Sequence, residues 1–156
     1  MPKSIAIGSD DAGYQLKEAL KAYLESAGYA VADYGPESSD PIDYPDVALT
    51  VAHAVARGEH DRAVLVCGTG IGMAIAANKV PGVYAAVVHD AYSAAKARSS
   101  NNAQVLTLGA RVVAPELAET LLDVWLKTEF GGGASARKVD KIRAAESELG
   151  SGHHKE

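Results

Sequence analysis

A single cysteine in 156 residues leaves no partner for an internal disulfide and no thiolate set for a zinc site. A stapled secreted scaffold is therefore excluded. Aromatic side chains make up only 6% of the chain, with one Phe and one Trp. Small residues must then fill much of the interior, and the abundant Ala and Gly suit close packing of helices on a sheet. No apolar run approaches the ~20 residues of a membrane span. The N-terminal stretch meets Asp10 and Asp11 before any apolar signal-peptide core is built. Basic residues are outnumbered 15 to 20, for a formal net charge of −5, whereas nucleic-acid binders carry a basic stripe. The only loose cationic grouping is Lys138, Lys141 and Arg143. These exclusions leave a cytoplasmic protein with neither nucleic acid nor membrane as partner. Its length suffices to bury roughly 70% of the unfolded surface. Residues 1–149 are expected to form one domain and residues 150–156 a disordered tail.

Short β-branched runs alternate along the chain with longer Ala-rich stretches of helical period. Strands are expected at residues 4–8, 30–34, 63–67, 83–88 and Val105–Gly109. Several are continuously apolar, the pattern of strands covered on both faces. Helices are expected near residues 14–27, 45–57, 72–78, Ala91–Ser99 and 115–128. Gly28 and Gly58 follow the first two helices and Pro115 opens the fifth, which is the usual helix punctuation. Such a β-α-β-α alternation predicts an α/β fold with a five-stranded parallel sheet between two helical layers. The run Phe130-Gly131-Gly132-Gly133-Ala134-Ser135 reads as a flexible link to a polar helix over residues 137–149. With so few apolar positions, that helix is expected to lie across a partner subunit rather than hold itself to a core. His153-His154 reads as linker, not as a metal site.

In open parallel sheets, ligands bind beyond the carboxyl ends of the strands. That rule selects Asp10 and Asp11, the Asp43–Tyr44 loop, residues 67–72, His89 with Asp90, and Arg111. Cys67-Gly68-Thr69-Gly70-Ile71-Gly72 is the most informative of these. Its three glycines let the chain turn sharply from strand to helix with amide N–H groups pointing outward. Such a nest stabilises negative charge, whether a phosphate or a developing oxyanion. A thiol at its lip would feel the same field and serve as base or nucleophile. The plainer alternative for Cys67 is a small buried hydrophobe.

A dinucleotide site competes poorly, because the third glycine position of G-x-G-x-x-G is Met73. No Gly-Lys-Ser/Thr of a P-loop occurs, and no G-x-S-x-G elbow for a serine hydrolase. Asp10 and Asp11 have an ordinary reading as a helix cap and first-turn acid. Asn101 and Asn102 could be plain turn residues, and His89 a surface histidine.

Four segments together resemble the ribose-5-phosphate isomerase B family, which includes galactose-6-phosphate and allose-6-phosphate isomerases. They are GSDDAGYQLK, the tetrapeptide DYPD, CGTGIGMAIAANKVPG and NNAQVLTLGARVV, in that order and spacing. The likeness runs from about residue 4 to residue 145. It implies a Rossmann-like three-layer α/β/α sandwich and a homodimer, with tetramers possible, whose active sites are shared between subunits. It also implies aldose–ketose isomerisation through a cis-enediolate, without metal or other cofactor. By this resemblance Cys67 is the base, while Thr69 and the loop amides at Gly68, Gly70, Ile71 and Gly72 form the anion hole. Asn101 stabilises the enediolate, Asp10 handles sugar hydroxyls and Tyr44 contacts substrate. Arg111 and Lys138 bind phosphate, Lys138 across the dimer interface.

The family pattern has His where this chain has Asp11, His at Ser100 for ring opening, and an Arg-His pair at Ala134-Ser135. A carboxylate ~4 Å from a phosphate costs on the order of 1–4 kcal/mol, so the exchange at Asp11 bears on substrate choice. One accommodation is a four-carbon substrate, erythrose or erythrulose 4-phosphate, which cannot close a furanose and needs no ring-opening acid. Another is an unphosphorylated aldose, with Asp11 bonded to a hydroxyl and His89 or Ser100 opening the ring.

Overall fold

The structure is a computed structural model that describes Pro2 and residues 4–152. Five parallel strands form one sheet: β1 (Ile5–Ser9), β2 (Val31–Asp33), β3 (Arg62–Cys67), β4 (Ala85–Val87) and β5 (Val105–Gly109). Their order across the sheet is β2-β1-β3-β5-β4. The chain moves outward from β1 to β2, then returns to place β3 on the other side of β1. The β1/β3 seam is therefore the switch point at which open sheets offer a crevice.

Six helices accompany the strands: α1 (Tyr14–Ser26), α2 (Tyr44–Ala56), α3 (Ile71–Ala77), α4 (Ala91–Ser99), α5 (Pro115–Lys127) and α6 (Gly133–Gly152). Strand alternation divides the core in two. Ile5, Ile7, Val64, Val66, Leu106 and Leu108 face the layer of α1, α4 and α5, where Leu20, Leu121 and Trp125 are fully buried. Ala6, Ala63, Leu65, Cys67 and Val105 face α2 and α3. Both faces are thus covered, which accounts for the uninterrupted apolar strands. The alanines on the α2/α3 side let those helices sit close to the sheet.

The edge strands are shorter than the sequence pattern suggests, β2 and β4 having three residues each. An edge strand persists only where its single neighbour pairs with it, and β2 meets β1 over Val31–Asp33 alone. At the other end of the chain, the expected flexible link is shorter too, and residues 150–152, expected in the tail, are helical. α6 begins at Gly133, inside the glycine run, and continues through Gly152; residues 153–156, with His153 and His154, lie outside the described residues. The helix rests on its own chain through buried Val139 and through Glu146, whose Oε2 accepts the Gly82 N–H at 3.1 Å. Ile142 and Leu149 on it stay exposed. Among the described residues no helix is long and apolar enough to cross a membrane.

Candidate active site

The turns leaving β1, β3 and β5 interlock at the carboxyl edge of the sheet. After β1, the Asp10 N–H donates to the Val66 carbonyl at 3.2 Å, and the Asp10 carboxylate accepts the Gly13 N–H at 2.9 Å. A Cβ on Gly13 would lie 2.4 Å from the Val66 carbonyl oxygen, so only glycine lets α1 start so close to β3. Burial pushes the Asp10 carboxyl above its usual value; the Gly13 N–H opposes this, Asp11 adds to it and Arg111 counters it. A carboxyl raised in this way, beside a cleft, suits proton handling.

After β3, the chain doubles back through Gly70, which has φ +79° and packs its Cα against the backbone of Leu108. Thr107 Oγ1, buried inside β5, donates to the Gly70 carbonyl at 2.8 Å and fastens the loop from below. The Gly70 N–H donates to Cys67 Sγ at 3.1 Å and the Ile71 N–H to Thr69 Oγ1 at 3.3 Å. Two loop amides are thus engaged by the loop's own side chains rather than standing open. Cys67 is recessed: the residue is 5% exposed and its side chain belongs to the α2/α3 core cluster, below the lip where the sequence would put it.

After β5, Ala110 N–H donates to the Cys67 carbonyl at 2.8 Å and Arg111 N–H to that of Gly68 at 3.0 Å. The Arg111 side chain then lies over Gly68, with Nη1 3.2 Å from where a Cβ would stand. Tyr44, at the start of α2, closes the other flank. Its ring packs on Gly72 so tightly that a Cβ there would come within 2.5 Å of it. Asp11 is exposed, and its Oδ1 accepts the Ile42 N–H at 3.3 Å, tying the start of α1 to the loop that carries Asp43 and Tyr44. His89 Nε2 accepts the Gly109 N–H at 2.9 Å.

Asp10, Asp11, Tyr44, residues 67–72, His89 and Arg111 are therefore gathered at one edge. Ser100, Asn101 and Lys138 are not. Ser100 and Asn101 form the α4–β5 turn, which leads into the amino end of β5 and so lies at the opposite edge of the sheet. Asn102 turns the chain there with φ +54°. The turn is pinned where buried Arg98 and Trp125 both donate to the Ala103 carbonyl, at 2.9 and 3.2 Å. Burial and the nearby charge of Arg62 push Arg98 down to about 10. Asn101 opens on a hollow of about 490 Å³ shared with Asn78, Tyr84 and Ile142. Exposed Lys138 sits one helical turn before Ile142 on α6, whose leading segment is held by the Gly131 N–H on the Ser99 carbonyl. Among the described residues no group of three or more His, Cys, Asp or Glu side chains converges as a metal site would require.

Thr107 supports the loop and was not singled out from sequence. Thr107 offered a signal, as a hydroxyl inside an otherwise apolar strand.

The chain matches the ribose/galactose isomerase family over residues 5–142. It is 57% identical over 141 residues to a D-erythrulose-4-phosphate isomerase of Pectobacterium atrosepticum, covering 89% of this chain and 92% of that one. It is 48% identical over 136 residues to a ribose-5-P isomerase B of Listeria innocua, covering 87% and 92%. Among solved structures, the ribose-5-phosphate isomerase B of Clostridium thermocellum superposes with a TM-score of 0.92 at 48% identity, over 94% of this chain and 99% of that one.

Proposed function

The chain belongs to the ribose/galactose isomerase family, and from that premise we propose that the cleft around Cys67 moves a proton between C1 and C2 of a sugar phosphate. The protein is an aldose–ketose isomerase of the ribose-5-phosphate isomerase B type. In our reading Cys67 removes the C2 proton of the open-chain aldose and returns it to C1, while the O1 and O2 protons are exchanged through Asp10. Thr69, with the loop amides of Gly68 and Gly72, holds the enediolate oxygens. The observation that carries this is the recessed sulfur, held by Gly70 N–H at the foot of the one loop that Asp10, Arg111 and Tyr44 all border. Shielding from water suits a reactive enediolate, which bulk solvent would protonate or degrade.

Asn101, Ser100 and Lys138 enter the reading through a second copy of the chain. Since they stand at the far edge of their own sheet, they serve a cleft only if the partner subunit presents them, giving a homodimer with two composite sites. Arg111 of one subunit and Lys138 of the other then share the phosphate. Exposed Ile71, Ile75, Val87, Tyr92 and Val112 offer apolar surface for such an interface. A cytoplasmic site of action goes with this substrate class, because a phosphate dianion does not cross a bilayer unaided.

A second reading narrows the substrate to a tetrose phosphate. The similarity to a D-erythrulose-4-phosphate isomerase favours it, as does the hydroxyl of Ser100 where a ring-opening imidazole would be needed for a pentose. Asp11 accepts the Ile42 amide at 3.3 Å, so part of its lone-pair capacity is spent on the loop. Cys67→Ala should abolish solvent deuterium exchange at C2 and turnover while leaving the fold intact; wild-type turnover in that variant would remove Cys67 from the mechanism. A panel of ribose 5-phosphate, erythrulose 4-phosphate and the free aldoses separates the readings. Higher kcat/KM for the tetrose phosphate selects the second one.

A further inference from the structure

β4 stops at Val87, two residues short of the end of β5. Val88 still donates its N–H to the Thr107 carbonyl at 3.1 Å, but the backbone then turns away toward α4. The Ala110 amide points toward β3, where it meets the Cys67 carbonyl. The Gly109 amide faces the other way, toward the space that β4 has vacated. His89 fills that space: its Nε2 accepts the Gly109 N–H at 2.9 Å, where the next β4 carbonyl would otherwise stand.

A ring nitrogen that accepts cannot carry a proton, so the imidazole is neutral with its proton on Nδ1. Gly109 itself has no slack. A Cβ there would fall 2.8 Å from the Thr69 backbone, and Gly109 stands opposite Cys67 in the β3–β5 register. The next two residues bond to the carbonyls of Cys67 and Gly68. The Gly109 N–H bond accepted by His89 thus joins the contacts to Cys67 and Gly68 in fixing the turn that lays Arg111 over the glycine loop.

We propose that His89 is a positioning residue of the isomerase, holding the 109–111 turn in register only as the neutral Nδ1–H tautomer. This rests on the reading of the Cys67 cleft as the isomerase site. Asp90, the next residue, caps α4 by accepting the Ser93 N–H at 2.7 Å, which fixes where the chain leaves β4. A donor at Nε2 would face the Gly109 N–H and break this contact, so only the accepting tautomer holds the turn. Loss of the contact is expected to appear in KM for the phosphorylated substrate.

Imidazole nitrogen NMR should show the Nδ1–H tautomer at neutral pH. His89→Ala should raise KM about tenfold, since small misplacement of a binding group is expensive. It should also speed Gly109 amide exchange about tenfold, as a lost local hydrogen bond does. His89→Gln, whose side-chain oxygen can accept in place of Nε2, should restore both to within about threefold. An Nε2–H tautomer in the wild type, or a Gln variant as impaired as the Ala variant, would overturn the proposal. Full turnover in Cys67→Ala would overturn the isomerase site instead, because the tautomer and the Gly109 exchange are read without catalysis.

Discussion

Asp10, to which the proposed mechanism gives the proton transfer between oxygens, works against the fold. Its carboxyl is raised, chiefly by burial, so the folded chain binds its proton more tightly than the unfolded chain does. That preference favours folding below the unfolded carboxylate value, about 3.9, and is lost as pH rises through the folded value. At neutral pH the ionised group is therefore a net cost to stability. Asp10→Asn keeps an oxygen for the Gly13 N–H and removes the buried charge. It should raise Tm by about 2 °C at pH 7 and not at pH 3, while turnover falls sharply. Calorimetry at the two pH values, beside a C2 exchange assay, checks both halves. A variant less stable at pH 7 would show that the carboxylate is better satisfied than its burial implies.

At the scale of elements, the loop and α3 depend on glycines that differ in what surrounds them. Gly13 abuts a backbone carbonyl that cannot yield, whereas Gly72 abuts the ring of Tyr44, which can swing. Gly72→Ala should change stability by less than about 1 kcal/mol, because the gain in helix propensity offsets the crowding. Displacement of the ring should raise KM about tenfold with a smaller change in kcat, and steady-state kinetics with a urea melt separates the effects. An unchanged KM would mean that Tyr44 does not touch substrate. The strands and helices that pack on both sides were legible in the sequence because apolar period and punctuation are local properties. The lengths of β2 and β4 were not, because an edge strand is as long as its neighbour allows. The extent of α6 was hidden as well: Gly131 to Gly133 look like a link, yet Gly133 already lies within the helix. Lys17 on α1 is fully buried, bonded to Asp33 at 2.9 Å and to the Pro36 carbonyl at 2.6 Å. No periodicity argument finds an ion pair made with a different strand. The site was legible where chain position decides it, at the carboxyl ends of strands. The recession of Cys67 was not, since it is set by how α2 and α3 close over the loop.

For the whole molecule, the separation of Asn101 from Cys67 by the length of the sheet carries the composite-site reading. Mixing offers a direct check. A heterodimer of Cys67→Ala and Asn101→Ala chains would hold one site with both defects and one with neither, so two inactive proteins should regain about a quarter of wild-type activity after random reassortment. No recovery would place Asn101 outside the chemistry or confine each site to one chain. On that reading, catalysis depends on how much protein is present. On dilution below the dissociation constant, specific activity should vanish while circular dichroism still reports a folded chain, so a cell that makes too little of this enzyme would possess folded halves and no catalyst.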